Sequence, residues 1–513
     1  MRAYHIHNND KDESMNLPEA LYTAVQTREL DRLAMEEYGV AGATLMQRAG
    51  EAVFDLLRAR WPRARRIVLL CGPGNNGGDG YVIARLAKQA GYATVVIGVG
   101  EAGKMKGDAA AARESCRSAG IAISEFHADL LTGNDVIVDA MLGTGLEREV
   151  NGEWRAAIEA VNQSRLPVLA VDVPSGLHAD TGRVMGAAIR ARATMSFIGL
   201  KAGLFTGAGR DHAGEIFFND LGVPPDVYAK VPSLAQRLTE KSLRGLLLPR
   251  PRDMHKGNAG HVLVIGGDRD MPGAARLAAE AAYRAGAGLV MLATHPDHAA
   301  WISANRPELI TYGVASAAEL RPLLARADVI AVGPGLGRGK WGSALFSTAL
   351  DASIPMVVDA DALNSLAADP LMHRDWVLTP HPAEAGRLLG MTARDIQADR
   401  FAAVRELVAS YGGVCVLKGA GTLVASLYDG VVSVCDRGNP GMASGGMGDV
   451  LTGTIAGLRA QGLSSPDAAH LGVWAHAAGG DDAAGAGEIG MLASDLYPFI
   501  RARLNRLVGY ADR

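Results

Sequence analysis

The stretch IVLLCGPGNNGGDGYVIARLAKQ, residues Ile67–Gln89, decides the fold. It opens on a short apolar run, Ile67–Cys71, rich in branched residues and flanked by glycine, which reads as a buried strand. The glycine-rich loop GPGNNGGDG follows, and Tyr81–Gln89 then carries helical spacing. Strand, glycine loop and helix in that order open a parallel sheet covered on both faces. The same grammar extends outward. Strands are expected at Ala93–Ile97, Asp135–Asp139 and Pro167–Asp172, with amphipathic stretches between them. Upstream, Leu21–Leu57 reads as two helices, the first bearing Asp31, Met35 and Tyr38, the second spanning Leu45–Leu57.

The pattern breaks at VPPDVYAKVPSLAQRL (from Val223), with three prolines and little periodicity, which places a domain boundary near residues 225–240. At 513 residues the chain is too long for one core. Two domains are expected, 17–230 and 231–513. The second restarts the α/β alternation: strands at His261–Ile265, Gly288–Ala293, Asp328–Val332, Pro355–Asp359, Val377–Leu378 and Val414–Leu417, and a helix at Gly273–Arg284. An edge hairpin is expected from Thr422–Ser426 and Val431–Cys435, and two alanine-rich helices, Asp449–Gln461 and Pro466–Ala478, are expected to close the domain. GPGNNGG and GPGLGRG look alike over a few residues, which shared loop physics explains without an internal repeat.

Composition narrows the function. Glycine makes 63 of 513 residues, about 12% against a usual 7% or so, with no three-residue period. The surplus points to loops where backbone approaches something closely. A net charge of −4 and the lack of a basic stripe argue against nucleic-acid binding. No 18-residue apolar run suggests a membrane span, and Met1–Asn16 is polar, unlike a signal peptide. The cysteines Cys71, Cys116, Cys415 and Cys435 show no C-x-x-C spacing and read as reduced, buried thiols of a cytoplasmic protein.

The chemistry-bearing residues gather at predicted strand ends, where parallel sheets bind ligands. Gly72–Gly77 formally matches G-x-G-x-x-G, but the second strand ends in GVGE (Gly98–Glu101), a poor fit to a ribose-binding acid, so the match alone is weak. Convergence is the stronger signal: Asn75, Asn76 and Asp79, then Asp139 with the loop Gly143–Gly145, then Asp172 with Ser175. Oxygen donors from Asn76, Asp139 and Ser175 suit a hard cation. Asp79 reads equally as a helix N-cap. In the second domain, NPGMASGGMGD (Asn439–Asp449) leads into a helix and can form a phosphate nest, with Asp449 as cap or as base. Gly333–Gly337, Thr379–Glu384 and Lys418–Thr422 follow strands, and Lys418 can balance phosphate charge. His381 has no metal-ligand spacing and reads as structural as readily as functional. No H-E-x-x-H, C-x-x-C or G-x-S-x-G is present, which sets zinc and serine-hydrolase chemistry aside.

These motifs resemble two families. YTAVQTRELDR, TLMQRAG, GPGNNGGDGYVIAR, VDAMLGTGL and AVDVPSGL in the first half resemble NAD(P)H-hydrate epimerases. HKGNAGHVLVIGG, AGAGLV, GPGLG, DADALN, LTPHPAEAGRLLG, LKGAGTLV and GNPGMASGGMGDVLTG in the second resemble NAD(P)H-hydrate dehydratases of the ribokinase-like fold. Their order is that of bifunctional nicotinamide-nucleotide repair enzymes. The resemblance implies a Rossmann-like doubly wound sheet followed by a ribokinase-like α/β domain. It implies that the first interconverts the R and S epimers of hydrated NADH and NADPH, and that the second dehydrates the S form using ADP and Mg2+.

Carried over residue by residue, Asn75, Asn76, Gly77, Gly78 and Asp79, with Gly143, Thr144, Gly145, Leu146, Glu147, Arg148 and Glu149, would contact the hydrate. Asp172 would be the acid/base or substrate-binding carboxylate, and Asn76, Asp139 and Ser175 would hold K+. In the second domain Gly335, and His381, Pro382, Ala383, Glu384, Ala385, Gly386 and Arg387, would touch the hydrate. Lys418, Gly419, Ala420, Gly421, Thr422 and Gly448 would hold the adenine nucleotide, and Asp449 would be the catalytic carboxylate. The choice of ADP rests on the resemblance alone. The rival is a small-molecule kinase fused to a non-catalytic Rossmann-like module. Low charge and alanine-rich helices permit a homo-oligomer, which is expected.

Overall fold

The computed structural model describes residues 17–509, so Met1–Asn16, and the expectation about a signal peptide with it, lies outside the described residues. The described chain divides into two compact units, one up to Gln236 and one from Arg237.

The first unit is built on seven parallel strands: β1 Arg66–Cys71, β2 Ala93–Gly98, β3 Ile123–Glu125, β4 Val136–Ala140, β5 Val168–Val171, β6 Ala193–Phe197 and β7 Glu215–Asn219. Their order is β3-β2-β1-β4-β5-β6-β7. The topology therefore switches direction between β1 and β4. Ile67, Val68, Leu69 and Leu70 have no exposed surface, as a strand covered on both faces requires. Helices α1 Ala24–Glu36, α2 Gly42–Arg60, α3 Asn75–Gln89, α4 Gly107–Ser118 and α5 Gly152–Ser164 belong to this unit. Tyr38, expected on the first helix, lies beyond its end. Strands β3, β6 and β7 escape the hydropathy pattern. β3 and β7 are edges, incompletely buried, and β6 carries Thr194 and Ser196 although both are buried. Thr194 escapes the penalty by donating its hydroxyl to the Ala213 carbonyl at 2.6 Å.

The deciding stretch folds differently from its expected form in one respect. Helix α3 starts at Asn75, not Tyr81, so the glycine run is wound into its first turns. Glycine is a poor helix former, but packing overrides propensity here. A Cβ on Gly72 would meet the Met141 carbonyl oxygen at 1.9 Å, and one on Gly77 the Gly72 carbonyl oxygen at 1.9 Å. The N-cap is Gly74, which places Asp79 in the second turn and overturns its reading as the cap.

The second unit holds nine strands: β8 His261–Ile265, β9 Leu289–Thr294, β10 Ile310–Gly313, β11 Val329–Val332, β12 Met356–Val358, β13 Trp376–Leu378, β14 Val414–Leu417, β15 Thr422–Ser426 and β16 Val432–Cys435. The order is β10-β9-β8-β11-β12-β13-β14-β15-β16, parallel up to β14 and antiparallel beyond it, so the expected hairpin forms. Helices relevant below are α6 Pro272–Arg284, α7 Pro382–Leu389, α8 Arg400–Tyr411, α9 Met447–Ala460, α10 Ser465–Ala483 and α11 Leu496–Leu507. Thus three helices, not two, end the domain. Helix α9 lies hard against α6: a Cβ on Gly453 would meet the Ala278 carbonyl oxygen at 1.9 Å, and one on Gly457 that of Ala282 at 2.4 Å.

All four cysteines are free and buried. Among the described residues no helix is long and apolar enough to cross a membrane. Because the space beside Gly77 is filled by rigid backbone, Gly77→Ala is expected to destabilise the first unit by about 1–3 kcal/mol. Thermal unfolding of the full chain would register this as an earlier transition, and an unchanged melt would refute the packing argument.

Candidate active sites

In the first unit the strand ends β1, β4 and β5 converge. Asp139, the fourth residue of β4, is fully buried. Its carboxylate accepts from the Ser175 amide (2.8 Å), the Ser175 hydroxyl (2.6 Å) and the Met141 amide (3.2 Å), while Ser175 Oγ accepts from the Leu142 amide (2.8 Å). Burial raises the Asp139 carboxyl to about 6, against the lowering effect of these donors. Asn76, on α3, is buried, and both its Oδ1 and Nδ2 lack a hydrogen-bond partner. Gly143 closes over it, since a Cβ there would stand 3.3 Å from Asn76 Cβ. An orphaned amide oxygen is a cost that a bound cation would remove. This fits the expected oxygen-donor set.

The second cluster forms at the end of β5. Asp172 has φ +67°, a left-handed turn residue, and its amide donates to the Met195 carbonyl at 2.7 Å. Its Oδ1 is ion-paired with Lys201 and accepts from the Phe197 amide at 3.2 Å. Lys201 is buried and also donates to the Phe197 carbonyl at 2.8 Å. Sequence reasoning missed Lys201, whose only signal is a charged residue inside the apolar run FIGLKAGL. Asp31 and Asp79 share its field. Burial and the neighbouring Asp172 raise Asp31 to about 6, against Lys201. Burial, Asp172 and Asp31 hold Asp79 well above the usual carboxylate range. Asp79 is thus the carboxyl of this cluster whose surroundings most favour its protonated form. Of the remaining expected contacts, Gly77 and Gly78 are buried in helix packing, whereas Asn75, Gly145, Glu147, Arg148 and Glu149 are exposed and Thr144 and Leu146 half-buried.

In the second unit the ends of β11 to β14 meet the start of α9. Asp359, just past β12, is buried. It accepts from Lys418 Nζ at 2.7 Å and from the Thr452 hydroxyl at 2.8 Å. Burial alone would raise this carboxyl, but Lys418 and the hydroxyls carry it below the ordinary range. Lys418 lies 3.8 Å from Glu384 and is raised as well, its desolvation outweighed by Asp359 and Glu384. Asp449 stands in the first turn of α9, whose N-cap is Gly446 at φ +92°. Asp449 is therefore not the cap. Burial, then Asp359, raises its carboxyl to about 7 against Lys418. Gly448 borders the same pair: a Cβ there would stand 3.3 Å from Lys418 Nζ.

The loop Lys418–Thr422 is held from beneath by Arg400, fully buried on α8, which donates to the carbonyls of Leu417 (3.1 Å) and Gly421 (3.3 Å). Sequence reasoning missed Arg400 also. His381 caps α7, its Nδ1 accepting from the Ala383 amide at 3.0 Å, while Glu384 accepts from the His381 amide at 2.7 Å. Burial lowers the His381 ring, which favours the neutral form. Pro382 opens α7, and Arg387 donates to Asn364 at 2.8 Å. Ala385 is fully buried and Gly386 abuts the Met391 carbonyl, so these two shape the helix rather than offer surface. Gly335, at φ +59°, packs against the Met271 carbonyl.

Two doubly wound α/β units, each gathering glycine loops, a lysine and carboxylates beyond its strand ends, define a two-domain enzyme. Residues 42–203 match the model of the YjeF-related protein N-terminus, and residues 262–501 that of NAD(P)H-hydrate dehydratase. The chain is 48% identical to the bifunctional NAD(P)H-hydrate repair enzyme Nnr of Coxiella burnetii, over 94% of this chain and 99% of that one. Among solved structures it is similar to a hypothetical protein of Streptococcus mutans (28% identity, TM-score 0.50, 53% of this chain and 99% of that one). It is also similar to a Bacillus subtilis ADP/ATP-dependent NAD(P)H-hydrate dehydratase co-crystallized with ATP/Mg2+ (30% identity, TM-score 0.48, 53% and 99%). The chain belongs to the bifunctional NAD(P)H-hydrate repair enzymes.

The Lys201–Asp172 pair gives a stability test. Lys201→Met leaves a largely buried carboxylate without its cation and is expected to cost about 3–5 kcal/mol. Adding Asp172→Leu should return much of that loss. Urea unfolding of the two variants measures it, and equal instability of both would sink the pairing argument.

Proposed function

We propose that the first unit epimerises hydrated NADH and NADPH at C6 and that the second dehydrates the S epimer at the expense of ADP, with the residues above in the following roles. The observation that carries this reading is the pair of desolvated carboxylates, Asp79 and Asp449, each raised beside a lysine already committed to another aspartate.

Hydroxide leaves C6 poorly unless protonated. Asp172, bound to Lys201 and the Phe197 amide, acts as the carboxylate. Asp79 acts as the acid. It protonates the C6 hydroxyl as the ring-nitrogen lone pair forms the C=N bond and the C6–O bond breaks, releasing water. Water adds to the opposite face of C6, and its proton returns to the Asp79–Asp172 pair. Asn76, Asp139 and Ser175 would hold K+, which would supply positive charge beside the substrate phosphates.

In the second unit Asp449 takes the proton from the C6 hydroxyl as its oxygen attacks the β-phosphorus of ADP and AMP leaves. The ring nitrogen then expels phosphate from C6, C5 loses a proton, and the reduced nicotinamide ring is restored. Lys418 and the loop amides of Gly419–Thr422 bind nucleotide phosphate, and Gly448 leaves room beside Lys418. Mg2+ on the nucleotide would neutralise phosphate charge. Among the described residues no three His, Cys, Asp or Glu side chains converge as a metal cage, and Mg2+ held mainly through phosphates needs none.

Mixing prepared NADPH hydrate with ADP and the protein should return the reduced-nicotinamide absorbance from both epimers. Asp172→Asn should confine fast recovery to the S fraction, and wild-type equilibration by this variant would refute its role. Asp449→Ala should lower dehydration about 10²–10⁴-fold. A base must be ionised to act, and the Asp449 carboxyl is raised to about 7. Dehydratase kcat/KM should therefore rise with pH through about 7 and level off above it. A flat profile there would remove Asp449 as the base. The same shift means the folded state holds the Asp449 proton more tightly than the unfolded chain. Its contribution to stability falls as pH rises from the unfolded carboxyl range towards about 7.

A further inference from the structure

The first unit has a cavity of about 380 Å³ beyond the ends of β1, β2 and β3, which the chemistry above does not use. Its walls include Gly72 and Pro73 after β1, Gly100 and Glu101 after β2, Glu125 at the end of β3, and Arg113 on α4. The volume falls in the range of small-molecule sites. In a sheet ordered β3-β2-β1-β4-β5, a dinucleotide crosses the switch between β1 and β4, one mononucleotide half lying beyond each side. Asp139, Asp172 and Ser175 belong to the β4–β5 side. Gly72 and Pro73 line the cavity and lead directly into the amino end of α3, where free backbone amides suit a pyrophosphate. The β1–β3 side remains for the other half of the substrate.

Arg113 gives that half its chemistry. Its Nε is buried without a hydrogen-bond partner, and its guanidinium is hydrogen-bonded to the Tyr81 hydroxyl on the same wall. Of the nearby carboxylates, Glu101 pairs with Lys104 at 3.0 Å and Glu114 with Arg117 at 3.5 Å, while Glu125 also lines the cavity. A guanidinium lining a cavity is suited to an oxyanion with several acceptor oxygens. We infer that this cavity binds the adenosine half of the hydrated dinucleotide and that Arg113 receives a phosphate on its ribose, which makes hydrated NADPH the preferred substrate of the first unit. The inference rests on the epimerase reading of that unit and adds its substrate preference.

Epimerisation kinetics of the full-length Arg113→Met variant test it on both hydrates. The expected result is a fall in kcat/KM of about ten- to a hundredfold for NADPH hydrate and of less than about threefold for NADH hydrate. Near-normal NADH hydrate turnover also shows that the variant folds. An equal fall for both, or none, overturns the assignment. Calorimetric titration with adenosine 2′,5′-bisphosphate, in saturating ADP to fill the second unit, separates this inference from the epimerase reading. Wild-type binding that Arg113→Met loses supports the pocket even if no hydrate is epimerised. Binding that is absent, or unchanged in the variant, overturns the pocket even if epimerisation proceeds.

Discussion

Both units depend on the same interaction: a carboxylate just past a buried parallel strand, Asp172 in the first and Asp359 in the second, is neutralised by a lysine. Lys201 is tied to Asp172 past β5, and Lys418 to Asp359 past β12. A buried ion pair is weak evidence of net stabilisation, but losing one partner is severe. Each lysine is therefore committed, and the next carboxylate in its field goes short of compensation. In the first unit that is Asp79, with Asp31 behind it; in the second it is Asp449. A desolvated carboxyl denied its own cation keeps a proton into the neutral range, which acid–base chemistry requires. The stabilising pair and the reactive group are thus one electrostatic arrangement.

The glycine surplus serves two purposes that the composition cannot separate. Some glycines admit backbone to backbone at the strand ends, as where Gly72 lies against the Met141 carbonyl and Gly77, in the first turn of α3, against that of Gly72. Others are pure packing: Gly453 and Gly457 let α9 approach the carbonyls of α6. The first kind shapes a site, and the second brings the helix carrying Asp449 close to its neighbour. Both reflect the space a Cβ would take.

Much of this was legible because buried parallel strands are continuous apolar runs. β1, β4, β5, β8 and β14 announce themselves, and Asp139, Asp172 and Lys418 stand at or beside their ends. Edge strands such as β3 and β7 carry no such run and stay hidden. The winding of Asn75–Gly80 into α3 was also hidden, because single-residue propensity opposes it and it is the close packing of Gly77 on Gly72, and of Gly72 on Met141, that explains it. Lys201 and Arg400 were invisible for a related reason. Their partners are distant in sequence, and a buried cation is recognised only once its acceptors are known: Asp172 and Phe197 for one, the carbonyls beneath Lys418–Thr422 for the other.

The two proposed steps ask opposite things of a raised carboxyl, and the surroundings differ accordingly. An acid that protonates a leaving hydroxyl must keep its proton at neutral pH. Asp79 has two carboxylates, Asp172 and Asp31, as its foremost charged neighbours after desolvation, with Lys201 a weaker influence. A base that takes a hydroxyl proton must give its own up near neutrality. Asp449 has one dominant carboxylate neighbour, Asp359, and next to it Lys418, so its rise stops at about 7. In both, desolvation is the largest cause. The order of the charges around each group then divides an acid from a base on two sheets of the same α/β class.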